Sequence, residues 1–201
     1  MTRPKVKTVN VVTMIKGHQF AERLFDGADV GNACDETDIL IWPGDHADDD
    51  PPDDATEIFH ELTRDICRRV YEATKDQIAE AFVRIANAAI DEERRRENEQ
   101  PSPPRIETVR VVTVEHADTL IDVINERLID TGTFTEGFSE AAIMTWPDDA
   151  GESPTETEAQ KHYNALADEI RDRLFAETRP LIAEAFVRIA SDVTTRERRR
   201  R

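Results

Sequence analysis

The nine residues Ile78-Ala-Glu-Ala-Phe-Val-Arg-Ile-Ala86 recur unchanged as Ile182 to Ala190, an offset of 104 in a chain of 201 residues. Identity over nine consecutive positions does not arise by chance, so the chain is an internal duplication and one structural plan must serve twice. At the same offset, Glu22-Arg23-Leu24 matches Glu126-Arg127-Leu128, Asp26 matches Asp130, Trp42-Pro43 matches Trp146-Pro147 and Asp45 matches Asp149. Nearer the start, Thr8-Val-Asn-Val-Val-Thr13 matches Thr108-Val-Arg-Val-Val-Thr113 at an offset of 100. Four extra residues therefore fall between Val114 and Glu126, which predicts a longer first helix in the second copy. Three prolines in Asn98-Glu-Gln-Pro101-Ser-Pro-Pro104 stop a helix and keep the chain extended. The expected division is a first α/β repeat at 1–97, a Pro-rich linker at 98–104 and a second α/β repeat at 105–201.

Within each copy, Val6 to Ile15 and Ile106 to Val114 are short and rich in Val and Thr, the composition of a strand. A helix is clearest over Ala117 to Ile129, where Leu120, Ile121, Ile124 and Leu128 share a face, with Gln19 to Phe25 as its shorter counterpart. Asp38 to Trp42 and Ala142 to Trp146 read as second strands ended by proline, and Phe134 to Phe138 as a short hairpin partner. Long helical regions follow over Thr56 to Arg96 and Thr155 to Arg200. Pro180, and a capping-box pattern at Thr74 and Gln77, predict two helices or one kinked helix in each. The apolar stripe Ile78, Ala81, Phe82, Ile85 and Ala89 has a twin in Ile182, Ala185, Phe186, Ile189 and Val193. Ile78, Phe82, Ile85, Ile182, Phe186 and Ile189 are the expected inter-repeat packing residues. The fold class this implies is α+β: two small modules packed as a pseudo-twofold pair, as a duplicated homodimer gene would give.

Charge narrows the function. With 43 acidic and 26 basic residues the net charge is −17, and both halves are acidic. Binding to nucleic acid rests on clustered cations, so wholesale wrapping of DNA or RNA is disfavoured. Arginine makes up 21 of the 26 basic residues, a bias that points to a GC-rich genome or a high-salt proteome rather than to a chemistry. No stretch of 18 apolar residues occurs and no secretory signal opens the chain, so the expectation is a cytoplasmic protein without a membrane partner. Cys34 and Cys67 lack CxxC spacing and read as isolated thiols.

The motifs of known chemistries are incomplete. His60-Glu61 opens an HExxH pattern, but position 64 is Arg and the repeat partner of His60 is Asn164, so one helical face cannot hold zinc. Asp45, Asp48, Asp49, Asp50, Asp53 and Asp54 crowd one loop without the glycine and closing glutamate of an EF-hand, and read as a solvated acidic linker. No glycine-rich phosphate loop is present, and His18 and His116 read as structural or surface histidines. No cofactor and no metal are expected. Glu80 with Arg84, and Glu184 with Arg188, have the order and spacing of helical ion pairs. Trp42 and Trp146, which could stack a ligand, read first as core anchors.

Both copies retain an arginine triplet, Arg94-Arg95-Arg96 and Arg198-Arg199-Arg200. Cations at a helix C-terminus stabilise the macrodipole, and an anion contact is the sharper alternative. The candidate binding residues are accordingly Trp42, Asp45, Trp146, Asp149 and these six arginines. The function these readings favour is a non-enzymatic, acidic protein-binding or assembly module, with an inhibitor or nucleic-acid-mimicking decoy as one version. A rival is an enzyme with an acidic, metal-assisted site between the repeats, drawing on Glu22, Arg23, Asp26 and Asp45 with Glu126, Arg127, Asp130 and Asp149. A second rival is nucleic-acid binding through the arginine clusters.

Overall fold

Thr13 begins the first helix by ending the extended chain before it. Its backbone is extended (φ −112°, ψ 164°) and its hydroxyl accepts the Lys16 N–H at 3.4 Å, an N-cap that satisfies one orphan donor of helix α1, Met14–Phe25. The computed structural model describes residues 6–8, 11–26, 33–34, 36–37, 39–41, 53–99, 112–130, 138 and 158–200, with backbone alone for 7–8, 41, 53–54 and 124–130. Among the described residues three further long helices follow: α2 over Asp53–Glu99, α3 over Val114–Asp130 and α4 over Glu158–Arg199. Among the described residues the paired strands are only two residues each, β1 at Lys7–Thr8 and β2 at Leu40–Ile41, antiparallel with Lys7 opposite Ile41.

The expected α+β class is therefore overturned by a helical architecture. Of the β-branched run ahead of α1, Lys7–Thr8 pair as a strand and Val11 to Thr13 lie in none, because Thr13 caps a helix where the composition favoured a strand continuing to Ile15. In the second copy Val112 and Thr113 lie in no strand and Val114 begins α3, so the expected strand does not run to Val114. Residues 106–111, 134–137 and 142–146, on which the other expected strands fall, lie outside the described residues.

Of the two alternatives expected for the long helical regions, two separate helices are excluded, each region being one helix of 47 or 42 residues. Thr74 does not start a new helix. It is buried in the middle of α2 with its hydroxyl donating back to the Val70 carbonyl at 2.8 Å, and Thr178 does the same to Leu174 at 2.7 Å. Pro180 sits inside α4, where it withholds one i to i−4 hydrogen bond without ending the helix. The four added residues appear as a longer first helix: α3 has 17 residues and α1 has 12.

The chain forms two compact units, and neither coincides with a repeat. Unit 1 comprises Met1–Thr74, Glu126–Gly132 and Arg179–Arg201; unit 2 comprises Lys75–Asn125 and Thr133–Thr178. The boundaries within α2 and α4 fall at Thr74 and Thr178, equivalent positions of the two copies. Each unit thus combines the N-terminal part of one copy with the C-terminal helical segment of the other.

In unit 1, α1 of the first copy lies against the C-terminal half of α4 from the second. Phe20 and Phe186, both fully buried, stack with ring centroids 4.0 Å apart and planes inclined by 15°. Gly17 makes the approach close: a Cβ there would come within 2.6 Å of the Ala183 carbonyl oxygen and 2.9 Å of a Val187 methyl. In unit 2 the C-terminal half of α2 receives the second copy. Phe82 meets Phe138 edge-on at 5.6 Å, and Asn87 pairs its side-chain amide with the backbone of Val112, donating to the carbonyl at 3.2 Å and accepting the N–H at 2.9 Å. Leu120, Ile170 and Leu174 complete that core.

Candidate functional site

Helix α3 opens with a variant of the capping box. The His116 and Ala117 N–H groups donate to the Thr113 carbonyl, and the His116 ring turns back so that Nδ1 lies 3.3 Å from the Thr113 N–H. His116 is buried there, in a structural setting. The capping fixes where Val114 projects, and Val114 remains 64% exposed. At the equivalent start of α1, Val11, Met14 and Ile15 are 75%, 42% and 71% exposed. Val114 and Met14 correspond at the offset of 100, so both copies present an apolar side chain to solvent at the same helix position.

Beside Val114, unit 2 carries an open groove of about 440 Å³. Ala79 and Val83 of α2 line it together with Val114, and Asp76, Glu80 and Asp118 stand exposed along its edges. Arg84 also reaches it, and this guanidinium is held by Glu177 of the second copy. The groove is thus apolar within and carboxylate-rich at its margin.

Further charged pairs lie inside each unit, and those of Arg173 with Glu92, His162 with Glu93 and Arg179 with Glu22 join the two copies. In unit 2, Arg173 hydrogen-bonds Glu92 at 3.1 Å and Glu169 at 2.6 Å. The Arg173 hydrogen bond, followed by its charge, holds the Glu92 carboxyl below the usual carboxylate range, and the same bond raises Arg173. His162 Nε2 lies against the buried Glu93 carboxylate, which Arg96 approaches at 3.7 Å. In unit 1, Arg179 pairs with Glu22 and Arg23 with Glu36 at 2.5 Å. Partial burial pushes Asp65 up, but hydrogen bonds from Arg69 and Arg68 outweigh it and leave this carboxyl below its ordinary value.

The residues singled out from the sequence are distributed differently from this site. Trp42, Asp45, Trp146 and Asp149 lie outside the described residues, as do the side chains of Glu126, Arg127 and Asp130. Glu22 and Arg23 are engaged in the ion pairs above, and the Asp26 N–H closes α1 on the Glu22 carbonyl at 2.9 Å. The arginine triplets are exposed at helix ends and contact groups one turn back: Arg95 donates to the Asp91 carbonyl at 3.2 Å, Arg94 lies 3.9 Å from the Asp91 carboxylate, and Arg200 lies 3.9 Å from Glu197. Arg94, Arg95 and Arg96 belong to unit 2, whereas Arg198, Arg199 and Arg200 belong to unit 1. Ile78, Phe82 and Ile85 are buried in unit 2 and Ile182, Phe186 and Ile189 in unit 1. The two phenylalanines contact Phe138 and Phe20, which come from the opposite copies.

Comparison with protein family models, curated proteins and solved structures found no match. Among the described residues no three His, Cys, Asp or Glu side chains form a metal-holding group, and no helix is long and apolar enough to cross a membrane. The apolar starts of α1 and α3 escaped the sequence reading, which placed these residues in strands.

Proposed function

We propose that the chain is a non-enzymatic protein-binding or assembly module whose contact face is the start of the first helix of each copy. The observation that carries this reading is the cluster Val11, Met14 and Ile15, three large apolar side chains exposed within five residues around the capped start of α1. Water-facing apolar groups this close together gain free energy when a partner covers them, by about 25 cal/mol per Å² of apolar surface. Helix capping holds them in place beforehand, which reduces the ordering cost of association. Val114 supplies a related apolar contact on the second copy.

The test compares partner capture from the native source by the intact chain and by a Val11→Ser, Met14→Gln, Ile15→Gln variant. The reading expects a stoichiometric protein partner retained by the intact chain and lost by the variant at unchanged helix content. Equal retention by both would contradict the assignment of the face.

A further inference from the structure

The groove in unit 2 exists where the two copies have diverged. In unit 1 Gly17 lets α1 close onto Ala183 and Val187 until no Cβ fits between them. Ala117 stands at the matching position of α3, and it carries the methyl group that Gly17 lacks. Ala79 and Val83, the counterparts of Ala183 and Val187, line the groove that opens alongside. The charged margin differs as well. Asp76 and Glu80 of the first copy correspond to Pro180 and Glu184, and Asp118 of the second, counted from the capping threonines, corresponds to His18, so two of the three carboxylates belong to this unit alone.

A ligand for this surface must cover apolar area and bring positive charge. Val114, at 64% exposure, gains from contact with a hydrocarbon. Three carboxylates at the edges attract cations and repel phosphate, carboxylate and other anions, and the chain's net charge of −17 reinforces the sign. Arg84 leaves the balance negative because Glu177 already neutralises it. Lysine and arginine satisfy both demands, since their methylene stems lie along apolar surface while the cationic head reaches outward. A groove of about 440 Å³ accommodates one or two such side chains, and its open form suits a helix laid across it rather than an enclosed small molecule.

We infer that this groove docks a basic amphipathic helix of a partner protein, with apolar and aliphatic groups over Ala79, Val83 and Val114 and its lysines or arginines against Asp76, Glu80 and Asp118. The inference rests on the protein-binding reading and assigns a partner chemistry to the second copy's version of that face. The pairing is electrostatic at the rim, so it weakens with salt, whereas the apolar part persists.

The experiment titrates the full chain into a fluorescein-labelled helical peptide of leucine and lysine, and into its counterpart with glutamate for lysine, following anisotropy at low and physiological salt. Asp118→Asn with Glu80→Gln tests the rim, and Val114→Ser tests the apolar contact; all three side chains are exposed, so the fold is retained, as circular dichroism would verify. Asp172→Asn with Asp192→Asn removes the same charge at exposed positions outside the groove.

The expected result is binding of the lysine peptide alone, weakened about tenfold by the rim pair and by a few-fold at physiological salt by Val114→Ser, with the control pair within about twofold of the parent. Absence of binding, equal losses from the rim and control pairs, or indifference to Val114→Ser would overturn the assignment. If any of these occurs while partner capture still depends on Val11, Met14 and Ile15, the groove falls and the protein-binding reading stands.

Discussion

Phe20 of the first copy stacks on Phe186 of the second at 4.0 Å, and the identical nine-residue segment around Phe82 meets Phe138 of the second copy in the other unit. The aromatic anchor of each long helix therefore finds its partner in the opposite copy. Truncating one ring leaves a cavity that a rigid helix pair cannot collapse. Phe186→Ala should cost about 3–5 kcal/mol of unfolding free energy, measured by urea denaturation. A loss below about 1 kcal/mol would contradict the packing described for unit 1.

Gly17 and Ala117 should both lose stability on exchange, for different reasons. Gly17→Ala drives a methyl into the Ala183 carbonyl and Val187, and overpacking of this kind costs about 1–3 kcal/mol despite the better helix propensity of alanine. Ala117→Gly meets no clash and should cost about 1 kcal/mol through propensity and lost burial. Thermal melts of the two variants check the signs. Stabilisation by Gly17→Ala would show that α1 has room to move away from α4.

Asn87 is a side-chain substitute for a backbone pairing, since its amide both gives and accepts a hydrogen bond at Val112. The matching residue of the second copy is Ser191, which has no amide to do the same. Asn87→Ala leaves the Val112 N–H and carbonyl without these partners and should cost about 1–3 kcal/mol, whereas Ser191→Ala should cost less. Faster amide exchange at Val112 in the Asn87 variant would locate the effect.

The duplication, the twin apolar stripes and the helical character of the long segments were all legible, because identity and a 3.6-residue period survive without knowledge of contacts. The first strand was read as running too far because Val11, Val12 and Ile15 have β-forming composition, while the decisive event is one hydroxyl, Thr13 on Lys16; the paired residues Lys7–Thr8 and Leu40–Ile41 do lie within expected strands. The Thr74 and Gln77 pattern misled for the complementary reason: a capping residue buried inside a long helix turns its hydroxyl back to Val70 instead. The exchange of segments was hidden for a deeper reason. When Ile78 to Ala86 and Ile182 to Ala190 are the same residues, local pattern cannot say which copy each stripe packs on. The groove was hidden because Asp76, Glu80 and Asp118 come together only through that exchange.

Acid should weaken the fold through Glu92 and Asp65, whose carboxyls are held below their ordinary values in the folded chain. A depressed carboxylate contributes stability above its unfolded pKa of about 4, and that contribution disappears as pH falls through the lower folded value. Urea midpoints should therefore drop below about pH 4, and Arg173→Gln should flatten the part of that drop due to Glu92. Unchanged acid dependence in the variant would remove the Arg173 contact from the account.

The central claim is that each compact unit draws on both copies, and the direct measurement is the mass and unfolding behaviour of the chain after cleavage at a protease site introduced within residues 101–104. The account predicts that the two halves remain together at the mass of the intact chain. Their unfolding should become concentration-dependent, because neither half alone can bury Phe20 against Phe186 or Phe82 against Phe138. Separation into two folded monomers with concentration-independent transitions would contradict it.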